Sequence, residues 1–288
     1  MSFVKIVAPL SGGARDEAVL ASAVAAAIPF GAHVVGLFVR SDPTLSMPFY
    51  GEGVSTLVLQ EAIDASNEAS DRAAQAARAM LGRLARATDI AVTPGCEKRD
   101  APTLSFRETP GNFADCIGRA ARLCDLVVLA APKDDEPAGL GEAIEAVLLE
   151  ARRPVLLCAR ALAPGFADKV AIGWNASVPC AQAVTAALPF LRRAKSVEIL
   201  SVGEKDTPSA QWGEAVEYLS LHGVAAATHD IEAGARPVAE VLLESAAASG
   251  AGLLVLGGYG HSRWRELFVD GVTRHAIAHA GLPLFLMH

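Results

Sequence analysis

The feature that most constrains the fold is an internal duplication. Five segments of the first half recur, in the same order, in the second half. The pairs are 4–13 with 169–177, 33–39 with 197–203, 106–111 with 229–234, 125–130 with 252–256, and 153–157 with 282–286. Such a series is hard to obtain by chance, and it indicates one structural unit that occurs twice. Residues 161–165 have the composition of a linker, which predicts domains at 1–162 and 166–288.

The repeated unit has the pattern of alternating strands and helices. Segments 4–10 and 33–39 are uninterrupted apolar runs, which are typical of parallel strands with both faces covered. An alanine-rich helical segment, 16–27, lies between them. This alternation predicts a doubly wound parallel sheet. The expected fold class is therefore α/β, with two tandem Rossmann-like domains of five strands each.

The first half carries an addition that the second lacks. Residues 43–53, which include Met47-Pro48-Phe49-Tyr50, have the pattern of an exposed loop, and 55–86 that of one long helix. We expect the helix to pack on its own sheet rather than to bind a partner protein. The loop and the helix also offer surfaces on which a homodimer could form. The expected packing face consists of small apolar residues spaced three and four apart: Ala62, Ala65, Ala69, Ala73, Ala76, Met80 and Leu84.

Composition excludes several classes of function. The 288 residues are 52% hydrophobic and 20% charged, as in a globular protein with a large core. A net charge of −7 argues against nucleic-acid binding, which needs a basic face. No apolar run approaches the length of a membrane span, so we expect no membrane contact and a cytoplasmic location. The five cysteines lack metal-ligand spacing, and we expect neither disulfides nor zinc.

A strand followed by a glycine-rich loop near the end of the chain predicts an anion site. The apolar run 253–256 leads into Gly257-Gly258-Tyr259-Gly260, and a helix start follows at about residue 271. Unpaired N–H groups converge at such a helix start, where the helix dipole is also positive. The simpler alternative is an ordinary turn. The candidate phosphate contacts are Gly257, Gly258, Gly260, His261, Ser262, Arg263, Gly271, Val272 and Thr273.

These residues resemble the universal stress protein domain. The resemblance rests on a strand that ends in Trp174-Asn175-Ala176-Ser177 and on the Gly257-x-x-Gly260 loop, and it covers nearly the whole chain as two such domains. It implies five-stranded parallel sheets with helices on both sides, and ATP as the ligand. By the same resemblance, Trp174 and Asn175 lie next to the nucleoside, and Val202 and Gly203 lie beside the adenine.

The sequence departs from the family pattern at Asp270. This aspartate stands where the family has its third loop glycine, Gly271 follows one residue late, and the hydroxyl comes only at Thr273. As a helix N-cap, Asp270 would accept hydrogen bonds from Val272 and Thr273, which are the donors that phosphate would use. Turned outward, it could instead hold a magnesium ion that bridges the phosphates. The sequence leaves both alternatives open.

The first half departs further, which predicts a single site. Its equivalent loop, 130–141, lacks the leading glycines and carries the acidic run Asp134-Asp135-Glu136. Each such charge a few ångströms from phosphate costs about 1 kcal/mol even in water. Ser11 also replaces the acid that commonly ends the family's first strand. We therefore expect one adenine-nucleotide site per chain, in the C-terminal domain.

The implied function is an ATP-binding module with a stress-response or signalling role. Two alternatives stay open, a nucleotide-free scaffold for protein interactions and a weak ATPase. The spacing of Ser262, Asp270 and His275 does not form a catalytic triad, and no general base lies beside the expected γ-phosphate. We therefore assign no catalytic residue and expect any hydrolysis to be slow.

The last strand of each half predicts how the halves assemble. Final strands in universal stress protein dimers tend to pair across a two-fold axis, and a bare apolar edge invites aggregation. In a tandem chain, segments 153–158 and 282–288 can pair with each other. The expectation is an intramolecular pair of domains related by pseudo-two-fold symmetry.

Overall fold

The computed structural model describes residues 2–40, 56–95, 100–132, 139–203, 212–258 and 281–288. Within them the strands form one sheet of eleven, in the order β3-β4-β2-β1-β5-β6-β11-β10-β7-β8-β9. The strands are β1 (Lys5–Leu10), β2 (His33–Arg40), β3 (Ala91–Val92), β4 (Thr103–Pro110), β5 (Leu126–Ala130), β6 (Val155–Cys158), β7 (Lys169–Gly173), β8 (Ser196–Gly203), β9 (Ala226–Glu232), β10 (Leu253–Gly257) and β11 (Leu284–Met287).

Helices cover both faces of this sheet. They are α1 (Asp16–Ala27), α2 (Thr56–Thr88), α3 (Phe113–Ala121), α4 (Leu140–Glu145, continued by a π-helical turn at Ala146–Glu150), α5 (Val178–Leu191), α6 (Trp212–Leu221) and α7 (Val238–Ala248). Helices α1, α2, α5 and α6 pack on one face, which we call the first face. Helices α3, α4 and α7 pack on the second face. Along each buried strand, successive side chains point alternately to the first and the second face and pack in the core on that face, because a strand is pleated.

The two halves have the same strand order, reflected about the centre of the sheet. In the second half, β11-β10-β7-β8-β9 corresponds to β6-β5-β1-β2-β4 in the first. The predicted doubly wound parallel fold is confirmed. The first half adds the two-residue strand β3 at its outer edge, which the sequence analysis did not predict.

The halves meet where their last strands pair, at the centre of the sheet. Strands β6 and β11 run antiparallel, with Leu156 opposite Phe285, whereas every other neighbouring pair is parallel. Both residues of this central pair are fully buried. The predicted pairing of the final strands is therefore confirmed, and neither strand is left as a bare edge.

Aromatic rings cover this junction on the first face. The Phe3 ring of the first half lies 4.9 Å from the Phe190 ring and 6.5 Å from the Phe285 ring, both of the second half. Phe30 lies 5.1 Å from Phe3 and 5.5 Å from Phe190. Such ring separations lie within the usual range for favourable aromatic contacts. The two halves thus share one apolar core at the centre of the sheet.

The long helix α2 packs on its own sheet, but through a different face from the one predicted. Of the predicted face, only Ala73, Met80 and Leu84 are even half-buried; Ala62, Ala65, Ala69 and Ala76 are exposed. An alanine-rich helix carries small apolar residues on several faces, so spacing alone could not select among them. The stripe that is buried is Ala74, Ala77, Leu81 and Ala85.

No helix in the described parts of the chain is long and apolar enough to span a membrane.

Candidate functional site

The candidate site lies at the carboxyl ends of β7 and β10. Strand β7 pairs with β8 on one side and with β10 on the other, so the chain changes direction across the sheet at this point. Loops that leave such neighbouring strands diverge to opposite faces and open a crevice, which is where open α/β sheets bind their ligands. The sheet therefore places the ends of β7, β8 and β10 around one crevice.

The loop after β7 is held by Asn175. Its side-chain oxygen accepts hydrogen bonds from the Ser177 amide at 3.1 Å and from the Ser177 hydroxyl at 2.7 Å. The Ser177 oxygen in turn accepts from the Cys180 amide at 3.4 Å and caps α5. Asn175 thus shapes the start of α5, and a nucleoside could use its NH2 group without breaking this turn.

Trp174, predicted next to the nucleoside, directly follows β7. Its amide continues the parallel pairing by donating to Leu200 at 2.8 Å. Its side chain packs against the core of the first face and lines a cavity between α5 and α6. The indole is therefore directed between helices, while the residues predicted beside the adenine lie at the end of β8.

Val202 and Gly203 end β8 at this crevice. The Val202 side chain is half-buried and packs against the core of the second face. Gly203 pairs with Glu232 of β9, and a Cβ added to Gly203 would meet none of the atoms that the structure describes within 4 Å. Among the described residues, none therefore occupies the position of a Cβ at Gly203.

Gly257 has a steric role that the sequence analysis did not foresee. A Cβ at this position would lie 2.5 Å from the Cys180 amide nitrogen and 2.7 Å from the Pro179 carbonyl carbon. The end of β10 therefore lies directly against the first turn of α5. Gly257 allows this close approach of strand and helix, whether or not a ligand is bound.

Gly258 is tied to the last strand of the chain. Its N–H donates to the Met287 carbonyl at 2.7 Å, and its carbonyl accepts from the His288 ring nitrogen Nδ1 at 2.8 Å. Its amide is thus used within the sheet. The other predicted loop residues lie outside the described residues: Gly260, His261, Ser262, Arg263, Asp270, Gly271, Val272 and Thr273.

Cys180 sits beneath the crevice as a neutral thiol. Its Sγ donates to the Gly173 carbonyl at 3.1 Å, and burial raises the pKa of the thiol to about 11. A protonated, buried thiol is a poor nucleophile and a poor metal ligand.

Among the described residues, no group of three or more His, Cys, Asp and Glu side chains is placed to hold a metal ion.

The loop after β7 contains one strained residue. Ala176 has a φ of 57°, and Gly12, at the equivalent place after β1, has a φ of 81°. A left-handed conformation costs a residue with a Cβ about 1–2 kcal/mol, which glycine avoids. The same backbone turn is thus built from glycine in one half and from alanine in the other.

We predict that Ala176→Gly stabilises the protein. The relief of strain exceeds the extra entropy that glycine loses on folding, so the free energy of unfolding should rise by about 0.5–1 kcal/mol. Urea denaturation at equilibrium measures this change. A decrease would show that the Ala176 methyl group contributes packing worth more than the strain.

In the first half, the chain's own side chains occupy the equivalent crevice. The Asp16 carboxylate is only 6% exposed, and it accepts from the Ser11 amide at 3.0 Å and from the Gly12 amide at 2.7 Å. Burial raises the pKa of Asp16, and its hydrogen bonds to Ser11 and Gly12 oppose that shift. The loop amides of this half are therefore already paired with an internal carboxylate.

The Arg15 side chain spans the same crevice. Its Nη1 donates to the Ala131 carbonyl, just after β5, at 2.8 Å. Strands β1 and β5 are neighbours, so this contact crosses the crevice from one strand end to the other. The second half has Pro179 and Cys180 at the equivalent positions, and neither carries a charge. The two crevices therefore differ in chemistry.

Of three comparisons with known proteins, the one with solved structures finds the same fold. No family model matches the chain, and no curated protein matches it. Among solved structures, the chain is similar to a universal stress protein from Archaeoglobus fulgidus DSM 4304, with a TM-score of 0.64, 15% identity and coverage of 98% of this chain and 95% of that one. A putative universal stress protein from Pseudomonas aeruginosa UCBPP-PA14 has a TM-score of 0.55 and 16% identity, and the match covers 99% of this chain and 93% of that one. A functionally unknown protein from Pseudomonas aeruginosa PAO1 has a TM-score of 0.53 and 14% identity, and the match covers 99% of this chain and 92% of that one.

The chain thus has the fold of universal stress proteins over nearly its whole length. At identities of 14–16%, this similarity concerns the fold. The resemblance inferred from the sequence is confirmed at that level.

Proposed function

We propose that the chain binds one adenine nucleotide, ATP, at the carboxyl ends of β7, β8 and β10, and acts in the cytoplasm as a stress-response or signalling module. The observation that carries this proposal is the difference between the two crevices. Arg15 and Asp16 fill the first, whereas the second has uncharged residues at those positions, and none of its described atoms lies within 4 Å of a Cβ at Gly203. An internal carboxylate competes with phosphate for backbone donors, so the first crevice is unsuited to a nucleotide.

The residues at the second crevice suit a nucleoside. Gly203 gives a planar base access to the end of β8, and the Asn175 amide can donate a hydrogen bond to a base or a ribose. Phosphate contacts are assigned to the loop that follows Gly258, with Ser262 and Arg263 as donors. Two alternatives stay open for Asp270 in this proposal, the N-cap of the following helix and a contact with a magnesium ion that bridges the phosphates.

A leucine at Gly203 tests the location of the site. Because a Cβ here meets none of the described atoms within 4 Å, we expect Gly203→Leu to leave the fold intact and to fill the space assigned to adenine. We expect ATP affinity to fall at least tenfold, measured by calorimetric titration of nucleotide-free protein. Gly213→Leu, on α6, is the matched control, because a Cβ at Gly213 also meets none of the described atoms within 4 Å.

The expected pattern is loss of ATP binding in the Gly203 variant and unchanged binding in the Gly213 variant. Equal affinity in both would place the nucleotide elsewhere. If the unmodified protein releases no adenine nucleotide on denaturation and gives no heat with added ATP, the scaffold alternative is favoured.

A further inference from the structure

A second candidate binding site lies between α5 and α6, on the first face of the sheet. A cavity of ≈ 290 Å³ opens there. Six of its seven lining residues lie on α5 and α6 rather than at strand ends, and the seventh, Trp174, directly follows β7. At about 30 Å³ for each water-sized group, it has room for about ten such groups. Its lining includes Trp174, Val184, Thr185, Glu214, Ala215 and Tyr218.

The cavity has an apolar wall and one charged edge. Val184 and Ala215 are buried in the core and form its floor, and Trp174 and Tyr218 are half-buried aromatic side chains. Among the lining residues that the structure describes, Glu214 carries the only charge. A ligand that fits must therefore offer an apolar body and place any charge it carries at the Glu214 edge.

The polar groups of the lining favour a positive charge. Glu214 presents a carboxylate, which only accepts hydrogen bonds. The Thr185 hydroxyl donates to the Ala181 carbonyl at 3.0 Å, so its oxygen is available as an acceptor. The faces of Trp174 and Tyr218 carry negative π-electron density, which attracts cations. Acceptors and aromatic rings in one small cavity are the groups by which proteins recognise ammonium ions.

We propose that this cavity binds a small organic ammonium ion, an alkyl or arylalkyl amine, with its apolar body against Val184 and Ala215 and its charge at Glu214. Glu214 is exposed at the edge of the cavity, where its carboxylate would repel an anion. A neutral molecule of the same shape would keep the apolar contacts and lose the ionic one. Among ligands of one shape, the cavity should therefore bind a cation most tightly, a neutral molecule less tightly and an anion most weakly.

Three probes of nearly the same shape test this ranking on the full chain. They are 2-phenylethylamine, which is a cation at neutral pH, 2-phenylethanol, which is neutral, and 3-phenylpropanoate, which is an anion. Tryptophan fluorescence can follow each titration, because Trp174 lines the cavity. We expect the amine to bind at least fivefold more tightly than the alcohol, and the carboxylate to bind more weakly than both.

Two charge variants on α6 separate the ionic contact from net charge. Glu214→Gln should lower the amine affinity to that of the alcohol and leave the alcohol affinity unchanged. Glu217 is an exposed residue of the same helix outside the cavity lining; Glu217→Gln removes the same charge and should change neither affinity.

Two leucine variants on α5 test the location of the site. Ala181→Leu, at an exposed position of the lining, should weaken the binding of all three probes, and Gln182→Leu, at the neighbouring position, should not.

The proposal is overturned if the three probes bind equally or not at all at 10 mM, or if Glu217→Gln acts like Glu214→Gln. Saturating ATP should leave the amine affinity unchanged, because the crevice is a separate site. Competition between ATP and the amine would place the amine in the crevice and also overturn the proposal. ATP binding can fail without affecting this result, so the two proposals are tested independently.

Discussion

Replacement of Phe285 by aspartate is expected to abolish cooperative folding of the whole chain. The ring is fully buried in β11, where Phe285 lies opposite Leu156 of the other half and its ring is 6.1 Å from the ring of Phe190. Loss of a buried phenylalanine side chain costs about 3–5 kcal/mol, and an unpaired buried carboxylate adds several more. The sum approaches the total stability of about 5–15 kcal/mol that is usual for native proteins.

Circular dichroism during urea denaturation measures the outcome. Phe285→Leu keeps most of the apolar volume and should retain a cooperative transition with a lower midpoint. Leu221→Asp introduces the same charge at a residue that is 81% exposed, and it should behave like the unmodified protein. If Phe285→Asp unfolded cooperatively near the unmodified midpoint, the two halves would not share the core described above.

The second large effect is expected for Gly257→Ala. The added methyl group would lie 2.5 Å from the backbone nitrogen of Cys180, and a backbone atom cannot move aside as a side chain can. Either β10 or the first turn of α5 must shift. We expect a loss of about 2–3 kcal/mol in the free energy of unfolding.

The neighbouring glycine provides the control. In Gly258→Ala the methyl group would meet Leu148 at 3.4 Å and the Met287 carbonyl at 3.5 Å, which are ordinary contacts. Its stability should change by less than about 0.5 kcal/mol. Equal stability of the two variants in urea would show that β10 and α5 do not approach as closely as described.

Much of the fold could be predicted from the sequence because buried parallel strands have a strong signature. The uninterrupted apolar segments at 4–10 and 33–39 correspond to β1 and β2, and the duplicated final strands pair as β6 and β11. These features depend on local hydrophobicity and on order along the chain, which the sequence displays directly.

Features that depend on three-dimensional packing were not predictable. Alanine spacing suggested Ala73 and Ala76 for the buried face of α2, but the helix buries Ala74 and Ala77, because alanines on adjacent faces differ too little to fix a rotation. The Asp16 contact with Gly12 requires the left-handed turn after β1, which local composition does not reveal. The one available signal was an aspartate at a position where the second half has Cys180.

We expect only one of the two similar halves to bind a nucleotide. Calorimetric titration of the nucleotide-free full chain with ATP tests this expectation, because the stoichiometry of the titration gives the number of ATP molecules bound per chain. The difference between the Arg15–Asp16 crevice and the Gly203 crevice predicts one ATP per chain. Two equivalent sites per chain, or none, would contradict the account.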